Sequence, residues 1–369
     1  MTSTSPIYTL AFWGLAILIF LTPFFRGLFF EVEQFKALIW ATIIFWLVCL
    51  GKYTKRDYSF FSHPLDYFIL ALPLVYCLAA FNAVNTGLAV TEVVKNLLYF
   101  MAYWIVVQLV RQEADLYKLL HVVYLTALGV ALAGLATAAD LISINDGFVG
   151  GRIFSTFQYP NALASYLAMA SFIGFLFWLI NGQLTLGTTI KNKLLVNVLP
   201  GWFGNIRLYG YLCSMANFVL LAVLFGTKSR GGLLITGVVF CLYIIGLTWQ
   251  QRLPVLIYAL FTGGLAYYTV EKFIALAVAQ QAQTAWLWVL GGLLLVLGFQ
   301  VVYNWLTNGL ANVAILNEAK HQRKLRLIVN VTLVSLVVVA LLAGIVSFNS
   351  NPAYLEKIQS FQYLSSATA

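Results

Sequence analysis

The sequence predicts an all-α, polytopic integral membrane protein of about eleven transmembrane helices with a cytoplasmic N-terminus. Three observations carry that prediction. Of 369 residues 62% are apolar, and only 33 are charged, 21 Lys plus Arg and 12 Asp plus Glu, whereas a soluble domain carries roughly a quarter. At about 20 apolar residues per membrane helix, such a chain supplies roughly eleven spans and leaves no room for an appended soluble domain. The basic residues, finally, are shared unevenly between alternate loops.

Apolar runs bounded by polar residues place helices near 8–25, 36–51, 66–83, 89–110, 119–142, 162–180, 208–226, 232–249, 253–270, 284–306 and 327–347. Met1 to Tyr8 has no basic n-region, and no small-residue cleavage site follows, so the first run reads as a retained helix. With the N-terminus inside, the inner loops hold Lys52, Lys55, Arg56, Arg111, Lys118, Lys191, Lys193, Arg207, Arg252, Lys320, Arg323, Lys324 and Arg326, thirteen of the 21 basic residues, as the positive-inside rule requires. The short run Lys320 to Arg326 is the strongest inside marker. From Phe273 to Asn317 there is no charge; the flanking spans are divided at Gln280, Gln281 and Gln283, with a re-entrant segment as the alternative. The stretch 182–207 sets Lys191, Lys193 and Arg207 among Leu194, Leu195, Val196 and Trp202, which suits a short helix lying on the inner surface. No repeat or linker interrupts this single transmembrane domain, 1–369, whose last residues, 348–369, open an outer loop.

The formal charge of +9 reads as basic loops held against anionic lipid. No basic domain exists to bind nucleic acid. Cys49, Cys77, Cys213 and Cys241 each lie in an apolar run without paired spacing, so they are helix-packing residues rather than a disulfide framework or a zinc site.

Two basic residues stand on the outer side, against the bias, in informative surroundings. Arg152 precedes the sixth span in Gly150-Gly151-Arg152-Ile153-Phe154-Ser155-Thr156-Phe157-Gln158-Tyr159-Pro160-Asn161, and Arg230 precedes the eighth in Thr227-Lys228-Ser229-Arg230-Gly231-Gly232. In both segments the chain is about to enter an inward-running helix, whose unpaired N–H groups and dipole favour an anion. Asn161 and Ser229 are capping types, and Gly151 and Gly231 let backbone approach a ligand. An Arg beside each helix start adds a planar fork suited to phosphate oxygens. If the two helices are neighbours, the result is a diphosphate cradle; the alternative is two interface anchors snorkelling to lipid headgroups.

The segment 152–167, RIFSTFQYPNALASYL, resembles the signature of the O-antigen ligase family, in which an Arg precedes a Ser-Thr-Phe-like stretch, then Pro-Asn and a helix of small residues. Lys228-Ser229-Arg230-Gly231-Gly232 resembles the second signature, a Ser-Arg-Gly opening a later helix. The resemblance implies a multi-pass glycosyltransferase of the bacterial cell (inner) membrane. It would pass a glycan from a polyprenyl diphosphate carrier to an acceptor hydroxyl on glycan, lipid or protein at the outer face. It further implies that Arg152 and Arg230 engage the diphosphate and that no metal or other cofactor is needed; the reading of the two helix starts adds Lys228, Ser229, Asn161, Gly151 and Gly231 around it.

One departure bears on activity. Family ligases carry a large late outer loop with a His proposed to activate the acceptor, whereas here His63, His121 and His321 all fall at the inner face. The tail from Asn351 to Ala369 resembles the opening of that loop, so the expectation is a truncated member that lacks the loop's catalytic half and the last helices, whose gene continues in frame and which as a fragment binds carrier lipid without necessarily transferring glycan. Outer carboxylates Glu31, Glu33, Asp140, Asp146 and Glu356 remain as candidate bases, and spacing singles out none.

Glu92 and Lys95, three apart, read as a structural ion pair, the alternative being that Lys95 adds charge to the diphosphate site. Arg26 with Glu31 and Glu33 reads the same way. The Phe, Tyr and Trp load reads as lipid-facing and interfacial belts. The rival classes are a transporter of a small anion such as bicarbonate, which should show midplane charges or internal repeats that this sequence lacks, and a non-catalytic carrier-lipid-binding protein.

Overall fold

The computed structural model describes residues 6–185 and 206–314. The protein is a helical bundle whose ten described helices are α1 (Pro6–Leu21), α2 (Glu31–Thr54), α3 (Pro64–Ala80), α4 (Thr86–Leu109), α5 (Glu113–Ala138), α6 (Pro160–Thr185), α7 (Ile206–Gly226), α8 (Arg230–Gly246), α9 (Trp249–Val278) and α10 (Ala282–Ala314). Eight of them are long and apolar enough to cross a membrane, so the protein is a multi-pass membrane protein. The other two, α3 and α8, have 17 residues each, about 25 Å at ~1.5 Å per residue. Both are peripheral: α8 buries no residue, and α3 buries only Asp66 and Pro73. The predicted eleventh span 327–347, the tail 348–369, the run Lys320 to Arg326, His321, and all but the ends of the stretch 182–207 lie outside the described residues.

Local chemistry sets the helix starts. Pro64 and Pro160 open α3 and α6, positions where a missing N–H is harmless. Asp66 closes a capping box on α3 by accepting from the His63 N–H at 3.0 Å. The Asn85 side chain caps α4 through the Leu88 N–H at 3.1 Å. The charge-free region is divided as the glutamines suggest: α9 stops at Val278, Gln280 takes a left-handed φ of 59°, and α10 begins at Ala282. The α9 helix runs two turns beyond the predicted 253–270, carrying Glu271 and Lys272 as its last charges.

The core has two parts. The larger joins α5, α6, α7, α9 and α10, with α7 at its centre. Of the apolar window in Leu208–Gly226, 72% is buried. In a bilayer, where lipid is as apolar as the side chains, such close approach depends on small residues. The smaller part joins α1, α2 and α4. Inside the larger core a line of uncharged polar side chains satisfies itself: Tyr124 donates to Asn217 Oδ1 at 2.6 Å, Asn217 Nδ2 to Tyr258 at 2.9 Å, and Trp178 Nε1 and Ser214 both to Gln300 Oε1 at 2.8 Å.

Contacts between loops fix the two ends of the bundle. The Thr156 hydroxyl donates to Pro23 O at 2.8 Å, and Arg152 Nε to Thr227 O at 2.9 Å, so the end of α1, the α5–α6 connection and the α7–α8 connection share one face. At the other face Arg111 meets Asp57 at 3.4 Å, joining the ends of α2 and α4.

Candidate functional site

The residues before Arg152 form a structure that the sequence reading missed. Phe148–Val149 and Arg152–Ile153 pair as a two-residue antiparallel hairpin, Val149 opposite Arg152, with Gly150 and Gly151 at φ 59° and 66°. Two positive φ values between paired strands make a type I′ turn, for which Gly-Gly is a preferred sequence. That dipeptide was the available signal. Gly151 thus serves the turn first, and a Cβ there would lie 3.6 Å from Ile274 of α9.

Ile153 anchors the hairpin. Its side chain is fully buried between Gly134 of α5 and Gly226 of α7, where an added Cβ would come within 2.7 Å of it. The next residue but one, Ser155, donates to Val130 O at 2.6 Å. With the hairpin pinned this way, the Arg152 Nε–H reaches the Thr227 carbonyl at the C-terminus of α7. A cation is favoured at that end of a helix dipole. The guanidinium carbon also lies 5.7 Å from the Phe154 ring centroid.

The α7–α8 turn is tight because Lys228 adopts φ 50°, the left-handed position that usually takes glycine after a helix. The chain then enters α8 through Ser229. Its hydroxyl accepts from the Gly232 N–H at 3.1 Å, the expected cap, and donates to Asn161 Oδ1 at 2.7 Å. The starts of α6 and α8 are therefore in contact, on the face that also holds Arg152. Gly232 permits the approach, since a Cβ there would lie 2.6 Å from Ala164 Cβ.

Two sequence expectations are corrected. Asn161 does not cap α6, because Pro160 already begins the helix and the Leu163 N–H goes to Tyr159 O. Its amide donates to the Tyr159 hydroxyl at 3.0 Å and accepts from Ser229, so it ties two helices together rather than ending one. Arg26 makes no ion pair with Glu31 or Glu33; its guanidinium lies over the Phe30 ring at 4.7 Å, while Glu33 accepts from the Phe30 N–H and closes the start of α2. The Glu92–Lys95 pair does form, which occupies Lys95.

Arg230 and Gly231 are exposed. The Arg230 guanidinium makes no hydrogen bond or ion pair with another described residue. Lys228 sits 3.9 Å from Glu271 of α9, each side chain about 40% exposed, a loose surface pair of small energetic weight. Glu271 was not among the expected carboxylates, although it is the only acidic residue between Asp146 and Glu318.

His63 caps α3 and His121 lies within α5, its ring bonded to the Tyr209 hydroxyl at 2.8 Å. Both belong to the half of the bundle away from Arg152. Among the described residues no three His, Cys, Asp or Glu side chains gather to hold a metal ion. No family model, curated protein or solved structure matches this chain.

Proposed function

We propose that this protein is a polyprenyl-diphosphate-dependent glycan transferase of the O-antigen ligase type, with its donor site where the hairpin of Arg152 meets the starts of α6 and α8. The observation that carries this reading is the Ser229–Asn161 hydrogen bond, because it brings two helix N-termini and two arginines to one face. Backbone N–H groups at those ends and the two forks hold the diphosphate. In the reaction the bond between the sugar's anomeric carbon and the phosphate oxygen breaks, and its electron pair leaves with the diphosphate. An acceptor hydroxyl oxygen bonds to that carbon and yields its proton to a base, for which Glu271 is a carboxylate held beside Lys228. Arg152, held by its bond to Thr227 O, and the exposed Arg230 stabilise the charge that develops on the leaving group.

The test is binding of the purified protein to a polyprenyl diphosphate-linked sugar by native mass spectrometry. The expected result is binding that the Arg152→Ala/Arg230→Ala double variant loses. Binding that is absent from the wild type, or unchanged in the double variant, overturns the reading.

A second reading, transport of a small anion, draws on the polar line from Tyr124 to Gln300 inside the bundle. That line includes no Asp, Glu, Lys or Arg, the residues that mark ion pathways in membrane proteins, so the donor site is the better-supported conclusion.

A further inference from the structure

Between α1 and α2, at the end of the bundle that also holds Arg152, a groove of about 620 Å³ opens, within the ~300–1,000 Å³ range of ligand sites; the turn at its mouth packs through Gly27 on Phe157 of the α5–α6 connection. Arg26 and Glu33 belong to the end at the α1–α2 turn, the mouth, Lys36 lies one turn farther along α2, and Ile17, Leu18, Leu21, Ala37 and Trp40 line the rest. From Val32 to Trp40 the α2 wall descends about 12 Å at ~1.5 Å per residue.

Both ends of the groove are built. At the floor the Trp40 indole N–H donates to Gly14 O at 3.0 Å, locking α1 to α2. At the mouth Arg26, Gly27 and Leu28 take φ values of 52°, 64° and 62°, three consecutive left-handed residues of which two are not glycine. Such backbone persists only where its surroundings hold it, and it concentrates at ligand clamps. Here the holder is the buried Gln34, whose amide donates to Leu28 O at 3.0 Å and Phe29 O at 3.3 Å. The strained turn sets Arg26 over the groove. Among the described residues neither Arg26 nor Lys36 makes an ion pair, and Glu33 is engaged with the Phe30 N–H. The mouth therefore offers two cations without an ion pair, Lys36 and Arg26, the latter over the Phe30 ring, with the Glu33 carboxylate beside them, above an apolar slot.

We propose that this groove is a binding site for an anionic glycerophospholipid, its phosphate between Arg26 and Lys36 and one acyl chain along α1 and α2 down to Trp40. None of the residues proposed for the donor site lines the groove, so the proposal stands whether or not the transferase reading does. With Glu33 beside them, Arg26 and Lys36 leave one net positive charge at the mouth, which favours an anionic over a zwitterionic lipid by roughly fivefold.

The experiment is native mass spectrometry of the detergent-purified protein titrated with phosphatidylglycerol and, separately, phosphatidylcholine, with glycerol phosphate as a soluble headgroup competitor. The expected result is a preference of about fivefold for phosphatidylglycerol that glycerol phosphate does not displace. The Arg26→Gln/Lys36→Gln variant should lose that preference with an unchanged melting temperature, and Ile17→Trp, which fills the slot, should lose both lipids. The Arg152→Ala/Arg230→Ala variant should bind phosphatidylglycerol as wild type does. Equal binding of the two lipids, displacement by glycerol phosphate, or a preference that survives Arg26→Gln/Lys36→Gln overturns the proposal. Loss of the preference only in Arg152→Ala/Arg230→Ala overturns it too, and assigns the phosphate to the other site.

Discussion

The Ser229 hydroxyl donates to Asn161 Oδ1 at 2.7 Å while accepting from the Gly232 N–H, so one buried side chain both caps α8 and fastens it to α6. Ser229→Ala removes both bonds. A lost cap costs about 1 kcal/mol, and the lost tie adds to it. A double-mutant cycle with Asn161→Ala, read by thermal unfolding in detergent, should give a coupling of at least ~0.5 kcal/mol. Strict additivity would mean that the two side chains act independently.

Two adjacent glycines should behave oppositely. Gly232→Ala drives a Cβ to 2.6 Å from Ala164, and such overpacking typically costs about 1–3 kcal/mol. Gly231→Ala meets nothing within 4 Å and should leave the melting temperature unchanged. If a diphosphate approaches the start of α8, Gly231→Ala will still weaken donor binding, which the same native mass spectrometry measures.

The arginines should differ by location. Arg152→Ala and Arg230→Ala should each weaken polyprenyl diphosphate binding roughly ten- to a hundredfold, the worth of a charged hydrogen bond of about 1.5–3 kcal/mol. Arg252→Ala, whose guanidinium is held by Leu247 O and Ile245 O at the opposite face, should not. Arg230→Lys should also lose affinity, since an ammonium lacks the bidentate fork. Equal losses at all three arginines would identify nonspecific lipid electrostatics.

Acid stability should trace to Asp57. Hydrogen bonds from the Ser59 hydroxyl and then the Lys52 ammonium hold its carboxyl well below the usual carboxylate range. Lys52 itself is buried and donates also to Gln108 Oε1 at 2.9 Å. Because the folded value is the lower one, the stabilisation is fully present above the unfolded carboxylate pKa of about 3.9 and is lost as pH falls from there toward the folded value. Asp57→Asn should therefore be less stable than wild type at pH 7 and show a flatter decline below pH ~4. Parallel acid profiles for the two proteins would refute the assignment.

The helical membrane class follows from apolar runs alone, because the bilayer requires about 20 apolar residues per helix whatever the neighbours do. The two arginine segments were legible for a similar local reason: a basic residue, a glycine and a capping type before an apolar run mark a helix start. Gly150-Gly151 also announced a hairpin, but a two-residue strand is too short for a periodicity signal and vanished beside the helices. Glu271 escaped notice because the apolar run was taken to stop at 270, whereas packing of Phe273, Ile274 and Ala277 into the core carries α9 past the charges.

Sequence by itself thus determined that this chain is a helical protein of the membrane. Only the tertiary structure decided that α6 and α8 are neighbours, that Arg152 spends its Nε–H on Thr227, that Asn161 joins helices instead of capping one, and that Arg26 overlooks a groove rather than pairing with glutamate. The physical reason is range. Burial in lipid and helix capping act within a few consecutive residues and leave a local pattern, whereas each of these contacts joins residues far apart or turns on a backbone conformation, held by a distant side chain, that local pattern does not encode.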